Sequence, residues 1–137
     1  MTKTYVPGTW DLFHYGHVAL LKRAKKDASF LLVGINTDKS VRANKGRAPI
    51  MSLQARMSVV RACRYVDGMV VNEMNIPLDV IRFFGIKRIV LGSDWKGKPL
   101  VGLEEAKKLG VKVVYYKYTN GISSSAIKKI ISEKESI

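Results

Sequence analysis

The feature that most limits how this chain can fold is an alternation of short, uninterrupted apolar runs with stretches of helical periodicity. Phe30-Leu31-Leu32-Val33-Gly34-Ile35, Arg88-Ile89-Val90-Leu91 and residues 111–116 have strand length and polar borders, the mark of strands covered on both faces. Residues 4–6 and 66–71 read as two more strands. Between them lie helices: one from Val18 to near Asp27, and one capped by Ser52 that carries Met57, Val59, Val60 and Ala62. Asn75-Ile76-Pro77 opens another that stops before Gly85. A fourth spans 103–109, and the last runs from Ala126 to about Lys134. Strands separated by helices require right-handed crossovers and a parallel sheet. The expected fold is α/β: a single doubly wound, Rossmann-like domain over residues 1–137, with a five-stranded parallel sheet and helices on both faces. Residues 36–49 are polar and basic and read as a flexible loop that closes over a ligand.

Length allows one domain with a real core, and no repeat or low-complexity tract interrupts it. Charge says more about partners. Against 11 Asp plus Glu stand 24 Lys plus Arg, a net +13, which calls for something anionic: nucleic acid, a membrane surface or a nucleoside triphosphate. Lys22, Arg23, Lys25 and Lys26, like Lys107 and Lys108, fall on helices as solvated faces rather than as a reader of base edges. The single cysteine, Cys63, excludes an intrachain disulfide. No secretory apolar region and no run of membrane length is present, so a cytoplasmic location is expected.

Gly8-Thr9-Trp10-Asp11-Leu12-Phe13-His14-Tyr15-Gly16-His17 sits where the first strand meets the first helix, and it holds both histidines of the chain. A strand–glycine–helix junction presents unpaired backbone N–H groups and the positive end of a helix dipole, which suits a phosphate. Imidazoles three residues apart fall on one side of a helical turn. The alternative is a structural role for each histidine; their position at such a junction favours phosphate chemistry. Ligands in doubly wound sheets bind at the carboxyl ends of the strands, where the strand order reverses. That rule gathers residues 8–17, the loop of Lys45, residues 92–95 and residues 119–124 around one expected nucleotide site.

These segments carry a resemblance. The chain resembles the small cytidylyltransferases of the HxGH nucleotidyltransferase superfamily, nearest to the glycerol-3-phosphate enzymes, over residues 5–131. GTWDLFHYGH is similar to their GTFD…HxGH signature, KGRAPIMSLQAR (45–56) to a lysine loop followed by a helix with a functional arginine, and CRYVDGMVV (63–71) to a stretch of the choline- and ethanolamine-phosphate enzymes. GSDW (92–95) is similar to GDDW and TNGISSS (119–125) to RTEGISTT; Tyr118 and Asn120 stand where that last motif has arginine and glutamate.

The resemblance implies transfer of CMP from CTP to a small phosphorylated alcohol, with release of pyrophosphate. It assigns His14 and His17 to the triphosphate and transition state, Lys45 to bridging attacking and leaving groups, and Arg56 to the substrate or outer phosphates. Gly8, Thr9, Trp10, Gly16, Asp38, Gly92, Asp94, Trp95, Thr119, Gly121, Ile122, Ser123 and Ser124 would bind nucleotide, with Asp94 and Trp95 near base and ribose. Asp11 and Lys45 would meet the acceptor. Magnesium would arrive on the triphosphate, without a protein-only metal cage, and a homodimer is implied.

Three alternatives stay open. KGRAP and EEAKKLGVKVV resemble adenylyltransferases acting on a sugar phosphate, and SSSAIKKI resembles enzymes that act on flavin mononucleotide. From another class, the charge would suit a basic RNA- or membrane-binding module. Base-stacking aromatics and a long amphipathic tail are missing, so neither nucleic acid nor stable membrane association is expected.

Overall fold

A computed structural model describes residues 1–117 and 122–135. Five strands, β1 (Thr2–Gly8), β2 (Ala28–Asn36), β3 (Gly68–Asn72), β4 (Arg88–Gly92) and β5 (Lys112–Tyr116), form one sheet in the order β3-β2-β1-β4-β5. Every pairing is parallel. The helices are α1 (Tyr15–Lys26), α2 (Asp38–Lys45), α3 (Leu53–Arg61), α4 (Leu78–Phe84), α5 (Leu103–Lys108) and α6 (Ser124–Glu135). The doubly wound reading holds.

Register explains why the strands are apolar throughout. Tyr5 pairs with Leu32 and with Ile89, and these side chains enter one core with Ile76, Ile81 and Ala106 beneath α4 and α5. Their neighbours Val6, Val33 and Val90 point the other way, into a second core with Leu21, Ala24 and Val60 from α1 and α3. A strand between two cores has no solvent face on which to place a polar residue.

Two elements differ from expectation. Residues 38–45 form a helix, α2, rather than part of a loop: Thr37 caps it by accepting from Ser40 N–H, and Gly46 ends it in the left-handed region at φ 79°. β3 begins at Gly68, two residues later than the apolar run starts, because Val66 N–H donates to Cys63 O in the turn that precedes it.

The order places β1 beside β4, with β2 and β3 built outward on one side and β5 on the other. Chain direction across the sheet therefore reverses between β1 and β4, at Gly8 and Gly92.

Candidate active site

A cavity of about 540 Å³ opens at that reversal. Its wall includes Gly8 and Thr9 from the end of β1, His14, Gly16 and His17 from the start of α1, and Lys45 from the end of α2. Gly92, Asp94 and Trp95 come from the exit of β4, and Ile122, Ser123 and Ser124 from the entry to α6. The four segments gathered in the sequence reading converge, the last of them through its described residues 122–124.

The histidines form the N-terminus of α1. His14 is the N-cap, with extended backbone, and its Nδ1 accepts from Gly16 N–H at 3.1 Å. Three residues on, His17 Nδ1 accepts from His14 N–H at 3.1 Å. This is a capping box built from imidazoles instead of the usual hydroxyl and carboxylate. Because both Nδ1 atoms accept, each neutral ring carries its proton on Nε2, as a donor. Burial lowers the affinity of both rings for a second proton. For His17, burial and the neighbouring His14 outweigh the opposing field of Asp11 and lower the pKa to about 4.

Packing fixes the rings. The imidazoles stack at 3.9 Å between centroids, Phe13 stacks on His17 at 5.2 Å, and Trp10 meets His17 edge-on at 5.4 Å. Gly16 is required by contact: a Cβ there would lie 2.9 Å from the His14 ring and 3.1 Å from Ile122. At Gly8 a Cβ would meet the Trp10 indole at 2.7 Å. Trp10 itself is buried, its Nε1 donating to Gly34 O at 2.9 Å, so it is a wall of the cavity whose one polar atom is already engaged. Trp10 and Leu12 have φ of 61° and 48°, and Met74, on the same cavity, 56°. Non-glycine residues in that region cost about 1–3 kcal/mol each, and two of the three, Trp10 and Met74, line this cavity.

Asp11 does not present a free carboxylate to an acceptor. Its oxygens accept from Ile50 N–H at 2.8 Å and Met51 N–H at 2.9 Å, and pair with Lys128 at 3.0 Å. Burial pushes its pKa up, but these donors outweigh burial and hold it below the usual carboxylate range. The Asp11 carbonyl accepts from the Ser124 hydroxyl. One residue thus ties the segment after α2 and the start of α6 to the β1 loop. Ser124 can offer a phosphate its N–H group only. Ser123 caps α6 by accepting from Ala126 N–H at 3.0 Å and keeps its own O–H as a donor.

Arg56 and Asp38 lie away from the cavity. Arg56 has no exposed surface: Nε donates to Met51 O at 3.0 Å, Nη1 to Thr9 O at 2.7 Å and Asn36 O at 2.8 Å, and Nη2 pairs with Asp38 at 2.5 Å. With its donors so engaged it cannot grip a phosphate, and Asp38 serves it rather than a nucleotide. Thr119 and Gly121, with Tyr118 and Asn120, lie outside the described residues. Arg47 and Lys98, which carried no individual assignment, and Lys128, which sequence reasoning missed, also line the cavity. Lys128 sits among the ordinary lysines of an amphipathic helix, and only its pairing with Asp11 singles it out.

The profile of the family described as cytidylyltransferase-like matches residues 5–130. This chain belongs to the cytidylyltransferase-like family. It is 44% identical over 91 residues to an ethanolamine-phosphate cytidylyltransferase of Arabidopsis thaliana, covering 65% of this chain and 22% of that protein. The bifunctional protein HldE of Gluconobacter oxydans is 36% identical over 124 residues, 90% of this chain and 26% of that one. The chain thus spans 22% to 28% of the length of such relatives. In fold, the cytidylyltransferase-like domain is similar to a lipopolysaccharide core biosynthesis protein from Thermoplasma volcanium, with a TM-score of 0.68 at 24% identity over 87% of this chain and 97% of that one.

Proposed function

We propose that this chain transfers CMP from CTP to a small phosphorylated alcohol, forming a CDP-alcohol and pyrophosphate, with glycerol 3-phosphate the leading acceptor. The observation that carries the reading is the imidazole pair. Two neutral rings, each locked by a backbone N–H into the Nε2–H form, line the cavity beside the N-termini of α1 and α6. In an in-line displacement at an α-phosphate, charge grows on the five-coordinate centre and on the departing pyrophosphate. A site that holds fixed donors where that charge grows lowers the barrier without reorganising. An oxygen of the acceptor's own phosphate attacks, so no protein nucleophile is needed. Lys45 and Arg47 line the cavity, and cations there would offset the mutual repulsion of two phosphorylated ligands.

Among the described residues no group of three His, Cys, Asp or Glu is placed to hold a metal ion. Magnesium would come bound to the triphosphate and neutralise its outer phosphates, while the N–H donors and lysines of the cavity would meet phosphate oxygens. A homodimer is proposed as the working state.

Pyrophosphate release measured with CTP, ATP, GTP and UTP tests the reading. CTP is expected to lead. An ATP preference would replace it with adenylyl transfer, the reading favoured by the KGRAP and EEAKKLGVKVV segments. Salt-sensitive RNA binding with no pyrophosphate from any triphosphate would point to a binding module instead.

A further inference from the structure

Two neighbouring lysines of α6 stand in different surroundings. The Lys129 side chain is 78% exposed and meets Glu133 of its own helix at 4.0 Å, as a solvated surface lysine does. The Lys128 side chain is 26% exposed and pairs at 3.0 Å with Asp11 of the β1 loop. Lys128 lines the cavity together with Ser124 and Ser125, so this is the side that α6 turns to a ligand.

Helical side chains lean toward the helix N-terminus, which carries a lysine one turn in back over the entry. The contacts of Asp11 show that Lys128 does this. Asp11 O accepts from the Ser124 hydroxyl, and the Asp11 carboxylate pairs with Lys128, so one residue holds two successive turns of α6. The carboxylate already has a backbone donor on each oxygen, from Ile50 and Met51. Within the ion pair the exposure is unequal: 5% for the carboxylate side chain against 26% for the lysine, so an entering anion reaches the lysine first. An ammonium has three N–H donors, and Asp11 is its ion-pair partner among the described residues. Asp11 is also near enough to His17 for its charge to act on that ring, which places the pair on the imidazole side of the cavity.

We infer, resting on the cytidylyltransferase reading above, that Lys128 is a phosphate contact of the reaction. Its ammonium, held at the cavity wall by Asp11, donates to a phosphate oxygen of the triphosphate or of the acceptor. The pairing has two effects. It orders a long side chain before the ligand arrives, and it cancels a carboxylate that would repel a phosphate. Asp11, which the resemblance set against the acceptor, is then the positioning residue, and Lys128 the group that touches the ligand.

The test measures KM for CTP and for the phosphorylated alcohol that the unaltered chain uses, by pyrophosphate release. Lys128→Met, unbranched and uncharged, should raise one of the two at least ~10-fold, as loss of a hydrogen bond from a charged donor does. A rise for CTP assigns the contact to the triphosphate, and a rise for the alcohol assigns it to the acceptor's phosphate. The urea midpoint should stay nearly unchanged, because Asp11 keeps its backbone donors. Lys128→Arg, which keeps the charge, should recover most of the loss. Asp11→Asn combined with Lys128→Met separates contact from neutralisation: with no carboxylate left to repel the ligand, the raised KM should persist. Its return to the unaltered value would reduce Lys128 to a counter-ion and overturn the contact. A fall in kcat with both KM values within about threefold in Lys128→Met also overturns it, since a displaced α6 entry would give that pattern. That single-variant comparison decides even if the double variant fails to fold. No pyrophosphate from the unaltered chain with any triphosphate and acceptor would instead defeat the underlying reading, and the contact with it.

Discussion

At the scale of single residues, the proposed chemistry rests on keeping two imidazoles neutral and oriented. The Nδ1 of each ring faces a backbone N–H, so a second proton on Nδ1 would set donor against donor and break the cap of α1. Removing the His17 ring in His17→Ala deletes one proposed phosphate donor and the ring stacked on His14. Turnover in a pyrophosphate-release assay should fall at least ~100-fold, as loss of a transition-state contact does. Unchanged turnover would remove the role assigned to it. The same hydrogen bonds dictate a pH response. The folded pKa of His17, about 4, lies below the ordinary 6.5, so the unfolded chain binds the extra proton first. Stability from this group is therefore fully present above pH 6.5 and declines as pH falls toward 4. His14 is shifted in the same direction. Because the chain has two histidines, proton NMR titration of their ring resonances reads both: neither should titrate above 6.5, and one should titrate near 4. A ring titrating above 6.5 would mean that the locked neutral form does not hold.

At the scale of elements, Arg56 and Asp11 join what the crossovers leave apart. Arg56 reaches from α3 to the carbonyls of Thr9 and Asn36, just beyond β1 and at the end of β2, and fastens both to the helix behind them. A lysine keeps the charge but cannot serve carbonyls and a carboxylate in several directions at once. Arg56→Lys is thus expected to lower the free energy of unfolding in urea by about 3 kcal/mol, the scale of losing two buried hydrogen bonds from a charged donor. The KM for triphosphate of the folded variant should change by less than threefold. A tenfold rise in that KM with unchanged stability would return Arg56 to the phosphates. This contrast shows where sequence reading stops. The strands were legible because burial on both faces leaves no choice of residue type, and the Gly8–His17 junction because glycine and imidazole have few other uses together. Helix α2 was hidden: of its eight residues only Ser40 and Val41 are buried, so no apolar periodicity announces it. Arg56 was read as a ligand-binding cation because residue type and spacing do not disclose burial, and total burial decides its role. Asp11 and Lys128 are 117 positions apart, and no local pattern could pair them.

At the scale of the whole molecule, the cavity is assembled from segments that lie far apart along the chain. β1, the segment after α2, the exit of β4 and the entry to α6 all meet at the strand reversal, and they bring Lys45, Arg47, Lys98 and Lys128 with them. Part of the net +13 is thereby concentrated at the carboxyl end of the sheet, where Asp11 offsets Lys128 and the other cations repel one another until an anion arrives. A triphosphate seated there would link both halves of the sheet and relieve that repulsion, so binding should register as global stability. At one hundred times its Kd a ligand specific for the folded state adds about 2.7 kcal/mol, which for a domain of this size raises Tm by about 10 °C. CTP is expected to produce that rise in differential scanning fluorimetry, and ATP at the same concentration much less. Added salt should diminish it, since the attraction is between charges that water and ions can screen. An equal rise with both nucleotides would show that the site holds phosphates without reading the base. Loss of the rise in His17→Ala would tie it to the imidazole pair rather than to surface lysines.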